Sequence, residues 1–452
     1  MGQALVLGLG KSGLAAARLL HRQGWQVTVQ DSSISPSLTQ QKADLSALGM
    51  TIHLGQPFAV PEPPPELVVV SPGVPWDVPI LQQLRAQGID AVGEMGLAWR
   101  SLCTYPWVGI TGTNGKTTTT SLTAAILQEA GYRAPACGNI GTPACDLVGQ
   151  EVDWIVAEIS SFQIESSRQI APQIGVWTTF TPDHLDRHYT LENYCQIKAH
   201  LLSQSQIKIL NADDPYLRTH FAQRWADMIW TSTQGCDSLP PSEKPGIYIQ
   251  NEQVIFEDKA IFDLENFPMP GNHNRQNLLL AIAVANVLKI PPEIITRAMR
   301  QFPGVPHRLE VLGVHQGITY INDSKATNYD AAQVGLASMT EPTILLAGGQ
   351  AKMGDDQHWL QTIQKQAVGV VLFGAAAESF AQRLMSINYT PFLKVENLAE
   401  AIPAAQKLAQ QTGAKVILLS PACASFDQYP NFEARGDHFR QLFHSQVTNC
   451  LA

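Results

Sequence analysis

Short apolar runs alternate with amphipathic stretches along most of the chain, and this pattern predicts strands alternating with helices. In the first part, strands are predicted at Ala4–Leu7, Gln26–Gln30 and Leu67–Val70, and helices at Ser12–Gln23 and Leu38–Leu48. That order is typical of a parallel sheet with helices packed on both faces. The N-terminal part is therefore predicted to be a doubly wound α/β domain.

The same alternation returns twice further along the chain. The middle part has predicted strands at Trp154–Ala157 and Ile174–Thr179, a hairpin at Gly246–Phe262 and an apolar helix at Leu278–Leu288. The last part has apolar runs at Thr319–Ile321, Thr343–Leu346, Val368–Phe373 and Val416–Leu419. A chain of 452 residues is too long for one hydrophobic core. We place boundaries near residues 94 and 304, which predicts three α/β domains: 1–94, 95–304 and 305–452.

One stretch of the middle part has the order strand, glycine-containing loop, helix. It reads Thr111-Gly-Thr-Asn-Gly-Lys-Thr117, after an apolar run that ends near Ile110. Backbone N–H groups in such a loop and the positive end of the helix dipole bind phosphate. The side chain of Lys116 would reach the terminal phosphates, and the hydroxyl of Thr117 would bind Mg²⁺. The predicted nucleotide-binding residues of this P-loop-like segment are Gly112, Thr113, Asn114, Gly115, Lys116, Thr117 and Thr118.

The match to the standard P-loop pattern is imperfect at its first position. The pattern requires glycine at position 110, where this chain has Ile110. The nearest upstream glycine is Gly109, so the loop is expected to be one residue longer than the standard one. The alternative is a glycine-rich turn that only caps a helix and leaves Lys116 in solvent. The Gly-Lys-Thr sequence between a strand and a helix makes that alternative the weaker one.

A second glycine-rich loop follows the first predicted strand. The stretch from Gly8 to Gly13 fits the G-x-G-x-x-G pattern, and Asp31 comes 18 residues after Gly13. This pattern is typical of Rossmann-like dinucleotide-binding domains and supports a dehydrogenase hypothesis. The glycines also secure a tight turn and close helix packing whichever phosphate-bearing ligand binds, so that reading stays equally open. The turn Ser71-Pro72-Gly73 follows the strand Leu67–Val70, at the edge where open parallel sheets bind ligands.

Polar side chains follow two predicted strands of the middle part. Glu158 comes directly after Trp154–Ala157, and Asp183-His184-Leu-Asp-Arg-His188 follows Ile174–Thr179. If these strands are parallel, both clusters leave the same edge of the sheet as the phosphate loop. Thr117 and Glu158 carry hard oxygen ligands suited to Mg²⁺. The imidazole of His184 could bind a second metal, act as a base or orient a substrate.

The last part also places charged side chains at predicted strand ends and turns. Asp323 could accept hydrogen bonds from a ribose, and Arg308, Lys325 and Lys352 could bind anionic groups. A solvated charged surface is the alternative explanation for these residues. Their position at strand ends favours a binding site.

Charge and composition exclude several classes of partner. The net charge is -9, from 30 basic and 39 acidic residues, and the sequence has no basic run. We therefore expect that nucleic acid is not a partner. Seven cysteines are scattered singly, which favours a reducing compartment. The N-terminus lacks a signal-peptide pattern, and no apolar run reaches about 18 residues. We therefore expect a cytoplasmic monomer that does not associate with membranes.

Taken together, these motifs resemble those of the Mur ligase family, the amide-forming enzymes of peptidoglycan synthesis. The shared motifs are the Thr111–Thr117 loop, Glu158-Ile-Ser-Ser161, the His184 cluster, Gly271-Asn-His-Asn274 with Asn277, and His307-Arg308. Two further motifs, Asn322–Asn328 and Ser420–Tyr429, are similar to the branch of the family that adds D-glutamate. The resemblance runs through all three predicted domains.

The resemblance implies a stepwise, ATP-dependent ligation. The carboxylate of UDP-N-acetylmuramoyl-L-alanine (UDP-MurNAc-L-Ala) would attack the γ-phosphate of ATP, and the amine of D-glutamate would then attack the acyl phosphate. The resemblance also implies two Mg²⁺ ions, one bound by Thr117 and Glu158 and the other by His184 and Lys198. Lys198 is carbamylated in this family, which supplies oxygen ligands in place of an ammonium. Lys116, His184 and Lys198 are the implied catalytic residues.

Further contacts are implied in the same way for the three substrates. ATP would contact Asn277, Arg308 and Asp323. The UDP-substrate would contact Gly10, Lys11, Ser12, Asp31, Ser71, Gly73, Asn139, Ser160 and Gln163. D-glutamate would contact Thr327, Lys352, Ser425 and Phe432. The sequence departs from the family pattern at Met353, where a small residue usually follows the lysine.

Other functions explain less of the sequence. An NAD-dependent dehydrogenase would use the Gly8–Gly13 loop and leave the phosphate loop and the last domain without a role. A folylpolyglutamate synthase-like ligase would not need a complete fingerprint-bearing domain at the N-terminus, and a sister Mur ligase would differ in its amino acid. A P-loop switch or motor would not need two additional α/β domains around the site.

Overall fold

Three β-sheets covered by helices make up the described part of the chain, residues 2–351 and 354–449 of a computed structural model. The chain divides into two units by its internal packing. The first unit holds the residues up to Pro268 together with Asn274–Phe302, and the second holds Met269–His273 and the residues from Pro303 on. The predicted α/β fold class with three sheets is confirmed, whereas the exact domain limits stay a prediction. Among the described helices, none is both long enough and apolar enough to cross a membrane.

The first sheet is parallel throughout and lies at the N-terminus. Its elements are β1 (Gln3–Leu7), α1 (Lys11–Arg22), β2 (Gln26–Asp31), α2 (Pro36–Ala47), β3 (Thr51–Leu54), β4 (Leu67–Val70), α3 (Pro79–Ala86) and β5 (Asp90–Gly93). The strand order is β3-β2-β1-β4-β5. The direction of winding therefore reverses between β1 and β4, so the loops after these two strands leave the sheet side by side.

The second sheet belongs to the same unit. Its elements are α4 (Glu94–Leu102), β6 (Trp107–Thr111), α5 (Lys116–Glu129), β7 (Ala136–Gly138), β8 (Ile155–Glu158), α6 (Ser161–Ser166), β9 (Ile174–Trp177), α7 (Leu185–His188), α8 (Leu191–Gln204), β10 (Ile207–Asn211), α9 (Pro215–Phe221), β11 (Ile229–Ser232), β12 (Ile247–Gln250), β13 (Gln253–Phe256), β14 (Lys259–Asp263), α10 (Asn272–Val287) and α11 (Pro292–Arg300). The strand order is β14-β13-β12-β11-β10-β9-β6-β8-β7. β6 lies between β9 and β8 and is parallel to both, which is the condition for the polar clusters after these strands to share one edge with the phosphate loop.

The third sheet lies in the second unit. Its elements are β15 (Glu310–His315), β16 (Ile318–Asn322), α12 (Tyr329–Ala337), β17 (Thr343–Gly348), α13 (Gln357–Gln366), β18 (Ala367–Phe373), α14 (Ala377–Ser386), β19 (Phe392–Lys394), α15 (Leu398–Thr412), β20 (Val416–Leu419) and α16 (Phe432–Asn449). The strand order is β15-β16-β20-β17-β18-β19, with only β15 antiparallel to its neighbour. The loops after β16, β20 and β17 therefore leave neighbouring positions at one edge.

The first two sheets share one apolar core. Buried side chains from Ala4 in β1 to Trp230 in β11 belong to a single cluster, which continues through α4 by way of Leu97 and Leu102. This continuity explains why the two sheets form one unit. In the third sheet, alternate strand residues face two separate apolar clusters, one on each face, as expected for a sheet with helices on both sides.

Candidate active site

The phosphate loop is shorter than the sequence suggests. β6 continues to Thr111 and α5 starts at Lys116, so the loop comprises only Gly112–Gly115. Gly109 lies inside β6, where an added Cβ would be 2.7 Å from Cγ of Pro172. The expectation that Gly109 extends the loop by one residue is therefore wrong. The small residue at 109 serves the packing of the strand, and Ile110 is a fully buried core residue.

Both glycines of the loop are required by its conformation. Gly112 has φ +148° and Gly115 has φ +83°, and a Cβ on Gly112 would lie 1.9 Å from Oγ1 of Thr178. The segment after β9 holds the loop in place: the N–H of Thr113 donates to the carbonyl oxygen of Thr179 at 2.8 Å. The loop thus ends at the N-terminus of a 14-residue helix, an arrangement suited to binding phosphate.

The ammonium of Lys116 folds back over this loop. Its Nζ donates to the carbonyl oxygens of Gly112 at 2.9 Å and Thr113 at 2.8 Å. A positive charge is therefore held directly at the mouth of the loop. Thr118, in the first turn of α5, is fully buried.

The side chains of Thr117 and Glu158 come together as the strand order requires. Glu158 pairs with Ile110 in the parallel register of β6 and β8. The hydroxyl of Thr117 donates to Oε2 of Glu158 at 2.8 Å, and Nδ2 of Asn139 donates to Oε1 at 2.7 Å. Thr117 and Glu158 are 3% and 1% exposed, so this is a buried oxygen pair at the base of the loop.

Lys198 is buried beside the same loop. It is 1% exposed, and its Nζ donates to the carbonyl oxygen of Gly112 at 2.8 Å. Burial, together with repulsion from Lys116, holds the pKa of the Lys198 amine well below its ordinary value. From its position in a helix, Lys198 would be expected to lie in solvent. In the structure it is instead a largely desolvated amine beside the phosphate loop.

Tyr194 is a site residue that the sequence reasoning missed. The Nζ of Lys198 lies 4.6 Å from the centre of the Tyr194 ring, and the Tyr194 hydroxyl lies 3.2 Å from Oγ1 of Thr113. Both residues are on α8, four positions apart, so they occupy the same face of the helix. The four-residue spacing between Tyr194 and Lys198 was the sequence signal that could have identified Tyr194.

His184 is the N-cap of the short helix α7 and has a left-handed backbone, with φ 55°. Its Nε2 lies 3.5 Å from Oδ2 of Asp183, and its ring packs edge-on against Phe162 with centroids 4.9 Å apart. His188, at the end of α7, is fully buried, with Nε2 2.9 Å from Oγ of Ser161. Burial lowers the pKa of His188 to about 4, so this second histidine is neutral at physiological pH.

Two predicted substrate contacts have a local structural role. Ser160 and Gln163 form a capping box at the start of α6: the N–H of Ser160 donates to Oε1 of Gln163, and the N–H of Gln163 donates to Oγ of Ser160. Asn277 packs on the first turn of α5, where its Oδ1 accepts from Oγ1 of Thr119 at 3.2 Å. A Cβ on Gly115 would lie 2.4 Å from that same oxygen.

The first sheet forms a second glycine-lined cradle. Gly10 caps α1, and an added Cβ on Gly13 would lie only 1.8 Å from the carbonyl oxygen of Gly8. Oδ2 of Asp31 accepts from the N–H of Leu9 at 2.7 Å, so the carboxylate fixes the loop from the neighbouring strand. The N–H of Ser71 donates to the carbonyl oxygen of Leu7 at 2.9 Å.

The predicted residues of this cradle therefore lie at the switch point of the sheet. These residues differ in exposure to solvent: Gly10, Lys11 and Gly73 are exposed, Ser12 and Asp31 are half-buried, and Ser71 is buried. The exposed members are available to a ligand, whereas Ser71 and Asp31 shape the loops.

In the second unit, Asp323 is enclosed by its own neighbours. Its Oδ2 accepts from Oγ of Ser420 at 2.8 Å, and Oδ1 accepts from the N–H of Leu309 at 3.3 Å. Burial raises the pKa of Asp323 to about 7, and the nearby Arg308 opposes that rise. Nε of Arg308 is buried without a hydrogen-bond partner in the described structure, a state that suits an anionic ligand.

Arg435 is a second residue that sequence reasoning missed. It is fully buried, and its guanidinium donates to the carbonyl oxygens of Ser324 at 2.8 Å and Cys423 at 3.0 Å, and to that of Gly348 at 3.5 Å. Burial lowers the pKa of Arg435 to about 10. One side chain thus connects the loops after β16, β20 and β17.

The predicted D-glutamate residues lie on or beside these loops. Thr327 is half-buried after β16, and Ser425 is buried after β20. Phe432 begins α16, and the Nζ of Lys325 lies 4.7 Å from the centre of its ring. Lys352 lies outside the described residues.

Comparison with known proteins decides the family. The chain is 54% identical over 445 residues to the UDP-N-acetylmuramoylalanine--D-glutamate ligase of Gloeothece citriformis, which covers 98% of this chain and 99% of the relative. It is 55% identical over 445 residues to the ligase of the same name from Synechocystis sp., covering 97% and 98%. The chain belongs to the Mur ligase family.

Family models agree along the length of this Mur ligase. Residues 2–93 match the model described as Mur ligase MurD-like, N-terminal domain, residues 110–285 match the Mur ligase middle domain, and residues 307–423 match the Mur ligase, glutamate ligase domain. The fold is also that of solved structures. The UDP-N-acetylmuramate-alanine ligase of Thermotoga maritima is 18% identical with a TM-score of 0.62, covering 98% of this chain and 100% of that one. A pseudomurein peptide ligase type C from Methanothermus fervidus is 19% identical with a TM-score of 0.61, covering 98% and 100%.

The residues of this Mur ligase fit the ATP that its family uses. Gly112 and Gly115 contribute only backbone to the loop that precedes α5, and the Lys116 ammonium lies against the loop carbonyl of Gly112. Thr117 and Glu158 present the hard oxygen donors that Mg²⁺ prefers. Among the described residues, no three His, Cys, Asp or Glu side chains converge as a metal cluster. A metal here would therefore take part of its shell from water and phosphate oxygens, as Mg²⁺ commonly does.

Proposed function

We propose that this Mur ligase joins D-glutamate to UDP-N-acetylmuramoyl-L-alanine at the expense of ATP, in peptidoglycan precursor synthesis. The full-length relatives at 54% and 55% identity carry the name of that ligase. The observation in the structure that supports the chemistry is the convergence of Lys116, Thr117, Glu158 and Lys198 on the Gly112–Gly115 loop.

The first step would be phosphoryl transfer, in which the substrate carboxylate attacks the γ-phosphate of ATP. The backbone N–H groups of the loop and the Lys116 ammonium would bind the phosphates and stabilise the charge that spreads over the transferred group. Thr117 and Glu158 would hold Mg²⁺ by their oxygens. When bound, this ion would neutralise phosphate charge and align the reacting oxygens.

Lys198 has the properties that carbamylation requires. An amine reacts with carbon dioxide only in its neutral form, and burial together with Lys116 favours that form of Lys198. The resulting carbamate would carry a negative charge and two oxygens close to the positive charge of Lys116. We propose that it binds a second Mg²⁺ together with His184, which is the role that the family resemblance implies.

The other residues would bind the two remaining substrates. The cradle formed by Gly10, Lys11 and Gly73 would bind the uridine diphosphate, with Asp31 and Ser71 shaping its loops. In the second unit, Arg308 would bind an anionic group of the nucleotide through its unpaired Nε. Thr327, Ser425 and Phe432 would bind D-glutamate.

One assay tests this function directly. Phosphate release from ATP in the presence of UDP-MurNAc-L-Ala and Mg²⁺ is expected to require D-glutamate, and the amide product is identified by mass spectrometry. Turnover with L-lysine or meso-diaminopimelate in place of D-glutamate would reassign the chain to a sister ligase. Turnover with folate and L-glutamate would reassign it to the folylpolyglutamate synthase-like class.

A further inference from the structure

A side-chain contact joins the loop after β4 to the loop that follows His184. Asp77 lies six residues after Ser71, and its Oδ2 accepts a hydrogen bond from the hydroxyl of Tyr189 at 2.6 Å. Nη1 of Arg187 lies 3.6 Å from the other oxygen of Asp77. The substrate contacts proposed above do not use these three residues.

Arg187 is anchored firmly on the side of the second sheet. Its Nη2 forms an ion pair with Oε2 of Glu165 at 2.7 Å, and both side chains are about 15% exposed. The guanidinium lies 6.0 Å from the centre of the Phe162 ring, and that ring packs against His184. A displacement of Arg187 would therefore be transmitted to the His184 side chain through Phe162.

Asp77 follows the turn that packs on the glycine cradle of the first sheet. The turn that begins at Ser71 is closed by the Val74 N–H, which donates to the Ser71 carbonyl oxygen at 2.9 Å. Ser71 packs so tightly on Gly8 that a Cβ there would lie 2.9 Å from the Ser71 Cβ. Asp77 thus lies three residues beyond a turn that packs directly on the cradle.

Tyr189 contributes little to packing, and its hydroxyl donates a hydrogen bond to Asp77. Its side chain is 70% exposed, and its backbone has φ 65°, a strained conformation for a tyrosine. Residues held in such strained conformations cluster at functional sites. The side-chain hydroxyl of this strained residue donates to Asp77.

We infer that Asp77, Arg187 and Tyr189 are positioning residues that set the separation between the uridine diphosphate cradle and the His184 segment. The inference rests on the proposed function, since it assumes that one substrate reaches from the cradle to the reaction centre. Binding energy from the remote nucleotide end is then used to align the reacting carboxylate. Breaking the contacts among Asp77, Arg187 and Tyr189 should therefore lower kcat/KM only for a substrate that has the nucleotide end.

The test compares two substrates that differ in that end. One is UDP-MurNAc-L-Ala, and the other is N-acetylmuramoyl-L-alanine 1-phosphate, which lacks the uridine monophosphate. Asp77→Ala is expected to lower kcat/KM for the full substrate by about three- to tenfold, the effect of losing one charged hydrogen bond with a weak ion pair. It is expected to leave kcat/KM for the truncated substrate and the KM for ATP unchanged.

Two further variants sharpen the result. Tyr189→Phe removes one hydroxyl and is expected to reproduce the substrate-selective loss in part. The double variant Asp77→Ala/Tyr189→Phe should be no worse than Asp77→Ala, because both changes break the same interaction. The matched control is Asp90→Ala, which breaks the surface ion pair between Asp90 of β5 and Arg100 of α4 and should leave kcat/KM for both substrates unchanged.

The outcomes separate this inference from the proposed function. If wild-type protein shows no D-glutamate-dependent turnover, the proposed function fails. If wild-type protein is active and Asp77→Ala lowers kcat/KM equally for both substrates, or for neither, the inference alone is overturned. A selective loss on the full substrate supports it.

Discussion

The Nζ of Lys198 lies 2.8 Å from the carbonyl oxygen of Gly112, which places a buried amine directly against the phosphate loop. The low pKa of this amine and its distance from solvent prepare it for reaction with carbon dioxide. In a metal-dependent ligase, the carbamate would turn a repulsive cation into an oxygen ligand.

Lys198→Ala is expected to lower phosphate release at least about a hundredfold, the scale of losing a metal ligand's contribution. Short-chain carboxylates added to the variant should restore part of the activity by supplying the missing oxygens. Labelled bicarbonate should give a carbamate NMR signal in the wild-type protein that the variant lacks. Lys208→Ala, at a nearly buried lysine paired with Asp227, is the control and should stay active. Full activity of Lys198→Ala would disprove the role.

Thr117→Val keeps the shape of the side chain and removes the oxygen that contacts Glu158. Activity is expected to fall about a hundredfold or more, because a preorganised interaction with the charge of the transition state is lost. Thr117→Ser retains the hydroxyl and should keep most of the activity. The Mg²⁺ concentration for half-maximal rate should rise for the valine variant only. An unchanged Mg²⁺ dependence in Thr117→Val would remove this residue from the metal site.

Gly13 tests the close packing of the first cradle. Gly13→Ala would place a Cβ 1.8 Å from the backbone oxygen of Gly8, which cannot move aside without disturbing β1. We expect a loss of about 3 kcal/mol or more in the free energy of unfolding. Gly24→Ala is the control, because its φ is +82° but its Cβ would meet nothing within 4 Å. That variant should cost only about 1–2 kcal/mol. Urea denaturation compares the two, and equal losses would contradict the packing argument.

Glu94 makes the stability of the first unit depend on pH. Burial raises the pKa of its carboxyl to about 7 from an ordinary 4.5, so the folded protein holds a proton that the unfolded chain has lost. The free energy of unfolding should therefore fall as pH rises from 4.5 to about 7, by about 3 kcal/mol at most. Glu94→Gln is uncharged at all pH values and should show a smaller fall over this window. Denaturation at a series of pH values measures the slope, and identical slopes would exclude Glu94 as its source.

Arg435 is expected to control the binding of D-glutamate from a distance. Arg435→Lys keeps the charge but cannot reach all three loops, so the loops that carry Thr327 and Ser425 should loosen. We expect the KM for D-glutamate to rise about fivefold or more, with a smaller effect on the KM for UDP-MurNAc-L-Ala. Arg383→Lys, at an exposed arginine of the same unit, is the control. An equal rise for both substrates would indicate a general loss of structure instead.

Much of the fold and of the phosphate site was predictable from local patterns. Strand periodicity and glycine-rich loops act within a few residues, so the positions of β1, β4, β6, β8 and β9 followed from the sequence alone. Once those strands are parallel, their carboxyl ends meet at one edge, and the meeting of Thr117 with Glu158 follows. Strands β3, β7 and β10 were missed, because β7 has only three residues and the polar side chains of His53 and Lys208 interrupt the apolar runs of β3 and β10.

The remaining features depend on contacts between distant parts of the chain. The burial of Lys198, the hydrogen bond from Tyr189 to Asp77 across 112 positions, and the reach of Arg435 to three loops have no local signature. Desolvation and charge in the folded protein, which shift the pKa values of Lys198 and Glu94, exist only after packing excludes water. The sequence by itself therefore determined which chemistry the chain carries, and the tertiary structure decided which of its side chains are placed and charged to perform it.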